Sequence, residues 1–263
     1  MLGCNLSYTI LFVGILVIIY TVSGDTKAVS ITHKYQMAVI MTGMFVAFGM
    51  IIYLLPDNLS FGKALHVAGK LGKLEAVDFS LDFSKRYTFW SGITGGLFLA
   101  LSYFGTDQSQ VQRYISGSSV TQSRLGLMFN AILKVPMQFF ILFVGVMVFV
   151  FYQYVEPPVF FKEVPLEEVR NSEYGSQLMQ LEEAYSENHK QKVKAIDNMV
   201  LAMESGDETE VETAIAEAQS YDAESKQIRT NVKELMTTYN ADIEIKDSDY
   251  VFLSFILGYL PHG

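Results

Sequence analysis

The residue with the clearest chemical potential is Lys134, a cation in a long apolar stretch. Residues 125–133 are mostly apolar, and the 21 residues from 135 to 155 carry no charge. An ionisable side chain inside a membrane span is costly and marks a functional site by default. If a helix begins at Leu125, Lys134 lies about 14 Å along it. If the helix begins near Pro136, the lysine reaches the membrane surface without a special role. Spacing alone leaves both interpretations open.

A second set of polar residues lies at the end of another apolar stretch. Residues 87–106 carry no charge, and Thr106, Asp107 and Gln108 lie where the stretch ends. Their hydroxyl, carboxylate and amide groups could bind a polar solute, or they could cap a helix at the membrane surface. The stretch also contains several glycines, which permit close helix packing or local unwinding.

Motifs for soluble catalysis do not occur in this sequence. It has no phosphate-binding loop, no His-Glu-x-x-His and no Gly-x-Ser-x-Gly. The single cysteine, Cys4, permits neither an internal disulfide nor a multi-cysteine metal site. Lysines and arginines form no basic patch. We therefore expect no enzyme activity, no organic cofactor and no nucleic-acid partner.

The apolar stretches predict a transmembrane core over residues 1–155. Each is about 20 residues or longer, enough to cross a bilayer core of roughly 30 Å. The predicted spans lie at about 6–23, 35–56, 87–106 and 125–155. Residues 250–263 start a fifth apolar segment that is too short to span. The pattern predicts an all-α, multi-pass protein of the plasma (inner) membrane with the lipid bilayer as a partner, and the loop charges do not decide its orientation.

A strongly acidic segment, residues 156–249, interrupts this pattern. It holds 22 of the 28 acidic residues and 9 of the 19 lysines and arginines, a net charge of −13, whereas the rest of the chain carries +4. Two helices are predicted, at 172–204 and 207–239, with Gly206 as the C-terminal cap between them. Apolar residues recur at spacings of three and four along both. The pattern predicts an extramembrane helical hairpin that stands off the membrane and either binds a protein partner or is simply solvated.

One string resembles a known family. Residues 104–114 read FGTDQSQVQRY, followed by SRLG at 123–126 and LKVP at 133–136. The string resembles the sodium:solute symporter family, which includes the sodium/glucose and sodium/proline cotransporters. The resemblance implies a LeuT-like bundle of two inverted five-helix repeats with the solute bound at mid-membrane. The four spans would be core helices four to seven, 250–263 would begin the eighth, and the chain would be part of a longer transporter.

The resemblance also implies roles for residues near the solute. Tyr103 matches an aromatic gate that closes over the sugar from the inner side in sugar-transporting members. Lys134 matches a lysine that hydrogen-bonds the sugar there, which favours a site role for it, in contact with the solute or with a neighbouring carboxylate. Ala100 replaces a polar residue that contacts sugar, so a sugar substrate is not favoured. Thr106 and Asp107 complete the predicted solute and gate residues.

Sodium is the coupling ion that the resemblance implies. The family's main sodium ligands come from helices one and eight, which would lie outside this chain. His33 stands where the family has an acidic residue near the sodium path, and an imidazole cannot supply that negative charge. The resemblance places the acidic segment on the outer face.

The predicted function is sodium-coupled symport of a small solute by alternating access. The alternative is a membrane-anchored sensor or scaffold that uses the hairpin to recognise a partner. A third interpretation is a truncated gene without function. The sequence that flanks residues 1–263 would discriminate among them.

Overall fold

The computed structural model describes residues 6–57, 59–74, 78–82, 84–85, 88–115 and 119–260, and none of these forms a β-strand. The structure thus confirms the all-α fold class over this part of the chain. Cys4 and the end of the predicted fifth segment, residues 261–263, lie outside the described residues. The chain divides into two compact units, residues 1–49 and residues 50–263.

The described residues form nine α-helices and two short turns of other helix types, joined by loops. In chain order they are α1 (Leu6–Leu54), α2 (Phe61–Lys70), α3 (Phe89–Leu101), a π turn (Ser102–Thr106), α4 (Gln108–Ile115), α5 (Val120–Tyr154), α6 (Glu163–Arg170), α7 (Gly175–Ser205), α8 (Glu208–Tyr239), a 3₁₀ turn (Ser248–Tyr250) and α9 (Val251–Tyr259).

The structure differs from the sequence prediction at α1, which has no break. Two spans with a connection at 24–34 were expected, whereas one helix of 49 residues runs from Leu6 to Leu54. No proline occurs before position 56, so nothing in this stretch removes a backbone donor, and extending a helix adds one hydrogen bond for each residue fixed. Within α1, Ser30–Leu54 is long and apolar enough to cross a bilayer, and Ser7–Ile19 is a shorter apolar stretch.

Among the described residues, helix α5 is the second stretch that is long and apolar enough to cross a bilayer. Its two parts have different surroundings. In the first part, eight large apolar side chains are half or more exposed: Leu125, Met128, Phe129, Ile132, Leu133, Val135, Phe139 and Leu142. The last three turns are packed instead, and Met147, Val150 and Phe151 are almost completely buried. The beginning of the apolar run at 135–155 therefore forms an exposed apolar surface, whereas its end is part of the protein core.

The acidic segment, here called the insert (residues 156–249), has a hydrophobic core of its own. Helices α7 and α8 pack antiparallel, because Lys192 pairs with Asp222 at 2.9 Å and Asn188 accepts a hydrogen bond from Ser225 at 3.0 Å. The core combines both helices with α6 and the segment before it, through Val159, Phe160, Leu166, Val169, Leu178, Tyr185, Ile228, Val232 and Met236. Helix α6 was not predicted from the sequence.

The turn between α7 and α8 has the predicted chemistry. Gly206 has a φ of 77°, the left-handed conformation that glycine adopts at little cost. The Asp207 carboxylate then accepts hydrogen bonds from the Thr209 and Glu210 backbone N–H groups, which caps α8.

The hairpin contacts the helices that precede it in the chain. Ser186 of α7 donates a hydrogen bond to Glu156 at 3.0 Å, just beyond the end of α5. At the other end of α7, Glu204 pairs with Lys63 of α2. Helix α2 itself packs on α5, where the Phe61 and Phe143 rings lie 6.1 Å apart. The insert is thus docked along the last turns of α5 and against α2, because both helices offer apolar faces that must be covered.

One buried carboxylate closes the base of the insert. Asp247 is 3% exposed and receives hydrogen bonds from the Phe161 backbone N–H at 3.2 Å, from Arg229 at 2.5 Å and from Lys233 at 3.1 Å. Burial raises the pKa of Asp247, but the two cations and the hydrogen bonds lower it by more, so the net pKa lies below its ordinary value. The Asp247 cluster therefore ties the chain that leaves α5 to the chain that enters α9.

The start of α7 packs tightly around Gly175. A Cβ atom at this position would collide with the Arg170 carbonyl oxygen, which ends α6. We expect Gly175→Ala to destabilise the insert by about 1–3 kcal/mol, because the backbone must shift to make room. Gly62→Ala on α2 is the matched control, since no atom lies within 4 Å of its added Cβ. Urea unfolding followed by circular dichroism checks both variants, and equal midpoints for the two would contradict the expectation.

Candidate functional site

The start of α3 is held by local contacts that orient the helix. Thr88 caps it in a reciprocal box, in which the Ser91 N–H donates to Thr88 Oγ1 at 3.3 Å and the Thr88 N–H donates to Ser91 Oγ at 2.9 Å. The Trp90 indole donates to the Phe79 carbonyl at 3.3 Å, and the Phe79 and Phe89 rings lie 4.8 Å apart. These contacts anchor α3 to the loop before it.

A π turn replaces the last α-helical turn of this segment. The Asp107 N–H donates to the Ser102 carbonyl at 3.0 Å, a bond across five residues, and the Thr106 hydroxyl donates to the same oxygen at 2.9 Å. A carbonyl oxygen has two lone pairs and can accept both. Such wide turns are rare and occur frequently at functional sites. The sequence indicated local unwinding through the glycines but did not predict this turn.

The structure brings the predicted gate and the predicted solute contact together. The Lys134 Nζ lies 5.6 Å from the centre of the Tyr103 ring, although the two residues are 31 positions apart. A cation over an aromatic face within about 6 Å is attracted by the ring's quadrupole. The Tyr103 ring also meets the Phe104 ring edge-on at 5.1 Å. Two residues that were selected separately from the sequence therefore form one contact between the π turn and α5.

The start of α5 decides where Lys134 lies along the helix. Ser119 caps α5 by accepting a hydrogen bond from the Gln122 N–H at 3.1 Å, and the helix runs through Pro136 without ending. Lys134 is therefore about 21 Å from the first residue of the helix, counted at 1.5 Å per residue. The structure does not support the alternative in which the helix begins near Pro136.

The charge of Lys134 has no carboxylate partner within the described part of the chain. Its side chain is exposed and contacts the Tyr103 ring. The methyl group of Ala100, one turn before Tyr103 on α3, is also exposed and can neither donate nor accept a hydrogen bond. The site therefore presents one positive charge beside one aromatic face.

Thr106 and Asp107 have structural tasks in this arrangement. The Thr106 hydroxyl holds the π turn, as described above. Asp107 has extended backbone angles, φ −72° and ψ 102°, which end the turn, and its carbonyl accepts the Val111 N–H of α4 at 2.9 Å. Both residues shape the segment that carries Tyr103, whether or not they also contact a solute.

The predicted sodium position does not form a metal site with other described residues. His33 lies in α1 with an exposed side chain. Within the described ranges, no group of three or more histidine, cysteine, aspartate or glutamate side chains could hold a metal ion. The expectation that the main sodium ligands come from outside this chain stays a prediction.

Sequence reasoning missed α2, which connects the loop before α3 to the insert. Ser60 caps this helix by accepting a hydrogen bond from the Lys63 N–H, and Ala64, Val67 and Ala68 are completely buried. The signals were present in the sequence, namely a serine cap followed by small and apolar residues at positions 64, 67 and 68. Such a short pattern is weak without its packing partner.

Comparisons with known proteins identify relatives of this chain. Residues 1–169 match the sodium:solute symporter family. The human sodium/iodide cotransporter is 30% identical over 155 residues, 59% of this chain and 24% of that protein. The mouse sodium-coupled monocarboxylate transporter 2 is 34% identical over 49% of this chain and 20% of its own length. The rabbit (Oryctolagus cuniculus) sodium-dependent multivitamin transporter is 35% identical over 43% and 18%.

These matches define both the relationship and its extent. The chain spans about a fifth to a quarter of the length of the curated relatives it matches. No solved structure matches the chain. The family match covers the described helices α1 to α5 and extends into α6, ending at residue 169, while the hairpin α7–α8 lies outside it. Membership of a transporter family is consistent with the helical fold and with the apolar helices. The chain belongs to the sodium:solute symporter family.

Proposed function

We propose that this chain takes part in sodium-coupled symport of a small solute across the plasma membrane, by alternating access. The observation that carries the proposal is the contact between Lys134 and Tyr103, which joins α3's π turn to α5. An aromatic ring beside a cation can close over a solute and reopen, and the wide turn behind it can change shape. Membership of a transporter family and the sodium dependence in the relatives' names support this function.

The proposed solute is a small anion. Lys134 presents a positive charge without a described carboxylate partner, and an apolar surrounding strengthens its attraction for a negative charge. Ala100 offers no hydrogen bond, so a sugar with many hydroxyl groups is a poor fit. Two of the relatives named above are described as carriers of iodide and of monocarboxylates, and both are anions.

The exposed apolar side chains support a membrane location for the first part of α5. Side chains such as Phe129 and Phe139, both about two-thirds exposed, would be unfavourable in water but suit lipid or neighbouring helices. Lys134 would then lie between the two surfaces of the bilayer, where the solute crosses. A multi-pass arrangement in the plasma membrane is part of the proposal.

The proposal requires a break in the long helix α1. At 49 residues it measures about 74 Å, more than twice the thickness of a bilayer core. Its two apolar stretches can therefore both lie in a bilayer only if the helix breaks between them. We propose that the break falls at residues 24–34, which separate the two predicted spans.

Solute uptake tests the proposal directly. Cells that express the full-length protein are given labelled iodide or a labelled short monocarboxylate in sodium medium and in choline medium. We expect uptake with sodium and only background uptake with choline, and a neutral sugar should not compete. Uptake that is the same in both media would contradict sodium coupling, whereas sodium-dependent uptake of a neutral solute would contradict only the anion class.

A further inference from the structure

The contact between the insert and α5 contains a buried histidine. His189 of α7 is 6% exposed, and the backbone of Tyr154, the last residue of α5, acts on it. Ser186, one turn earlier on α7, contacts Glu156 just beyond the same end of α5. The Nε2 atom of His189 is buried without a hydrogen-bond partner among the described residues.

The neutral imidazole fits this position and the charged one does not. Protonation would place a second N–H in a buried site that provides no acceptor, and an unsatisfied buried charge is costly. The neighbouring cation adds repulsion, because Lys192 is one turn along α7 and is itself buried, paired with Asp222 of α8. Burial and Lys192 together hold the pKa of His189 below its ordinary value of 6.5.

The nearby carboxylates, which would favour protonation of His189, have less effect than burial and Lys192. Glu156, which follows α5, favours the protonated form of His189, but it accepts a hydrogen bond from Ser186. Asp222 is engaged by Lys192 and by Lys226 at 2.8 Å. Asp197, farther along α7, acts on Tyr154. Burial and Lys192 therefore lower the pKa of His189 by more than Glu156 raises it. The imidazole stays neutral while the insert is docked.

We propose that His189 is a proton-sensitive latch between the insert and the transport core: α7 docks on the end of α5 when the imidazole is neutral, and mildly acidic pH releases it. The hairpin keeps its own core, since α7 and α8 pack together away from this contact. Release would free the end of α5 and loosen α2, which Glu204 holds through Lys63. The latch does not depend on which solute the protein carries.

The direction of the pH dependence follows from the proton count. A released His189 binds its proton near pH 6.5, whereas the docked one binds it only at lower pH. Docking is therefore complete above pH 6.5 and weakens as the pH falls from 6.5 toward the lowered pKa. For one proton, the docking equilibrium changes by at most about tenfold for each pH unit in this window.

Hydrogen exchange of the full-length protein in nanodiscs tests the latch. Backbone protection in residues 144–154 and 186–192 is measured from pH 7.5 to pH 5 in the wild type and in His189→Asn, which keeps a donor near the Nδ1 position but cannot be protonated. Comparing both at the same pH cancels the intrinsic pH dependence of exchange. We expect the wild type to lose protection relative to the variant below pH 6.5, approaching tenfold per pH unit.

Two further measurements complete the test. His66→Asn on α2 is the matched control and should keep the wild-type pH dependence. Titration of the wild-type histidine side chains by NMR needs no substitution at position 189, so it decides the matter if His189→Asn loses helix content at pH 7.5. A His189 pKa of 6.5 or higher, or equal protection of the wild type and a folded His189→Asn at every pH, would overturn the proposal.

Discussion

Replacing Asp247 with alanine will destabilise the insert by about 3 kcal/mol. The substitution leaves Arg229 and Lys233 without their shared carboxylate and the Phe161 N–H without an acceptor. Removing one partner of a buried ion pair typically costs 3–5 kcal/mol because the remaining charge stays desolvated. Arg229 and Lys233 keep some contact with water, so the lower end of that range applies. Urea unfolding in detergent micelles, followed by circular dichroism, measures the loss.

Asp249→Ala is the matched control for this prediction. Asp249 lies two positions further along and pairs with Lys246, but both side chains are about two-thirds exposed. Exposed pairs contribute less than about 1 kcal/mol, so this variant should unfold almost like the wild type. If both variants unfolded at the same urea concentration, the Asp247 cluster would not be the closure of the insert.

Replacing Lys134 with glutamine will reduce sodium-dependent anion uptake by about ten- to a hundredfold. Glutamine keeps a polar side chain of similar length but removes the charge that we propose binds the solute, and a hydrogen bond to a charged group contributes about 1.5–3 kcal/mol. The cation–π contact with Tyr103 is lost at the same time. Initial uptake rates, normalised to the amount of protein at the cell surface, measure the effect.

Two controls separate the charge from general damage. Lys190→Gln removes a lysine from the exposed face of α7, where it pairs weakly with Glu187 at 3.5 Å, and should leave uptake unchanged. Lys134→Arg keeps the charge and the contact with an aromatic ring, so it should retain more uptake than Lys134→Gln. Normal uptake by Lys134→Gln would show that this side chain does not bind the solute.

Local patterns predicted the helices of the insert closely. The predicted hairpin helices at 172–204 and 207–239 correspond to α7 and α8 within three residues at each end. The left-handed conformation of Gly206 was also predictable, because few other residues adopt it at low cost. Residues such as Val211, Ile228 and Val232 are buried along α8 as their spacing indicated. These features depend on residues that are close in the sequence.

Buried polar residues were not predictable in the same way. Asn188, His189 and Lys192 lie on α7 among residues that would ordinarily face water, yet all three are at most 7% exposed. They are buried because α8 and the end of α5 cover them, and neither neighbour can be identified from the residues around position 190. The docking of the hairpin on α5 and α2 was missed for the same reason.

The sequence by itself determined the family and the helical class and predicted the residues of a candidate site, because these depend on short motifs, on composition and on apolar runs. Tertiary structure alone decided which of those residues meet. The contact of Lys134 with Tyr103, the closure of the insert by Asp247 and the burial of His189 against Tyr154 all join residues far apart in the chain. Such contacts depend on how complete helices pack, and no local pattern encodes the partner of a helix face.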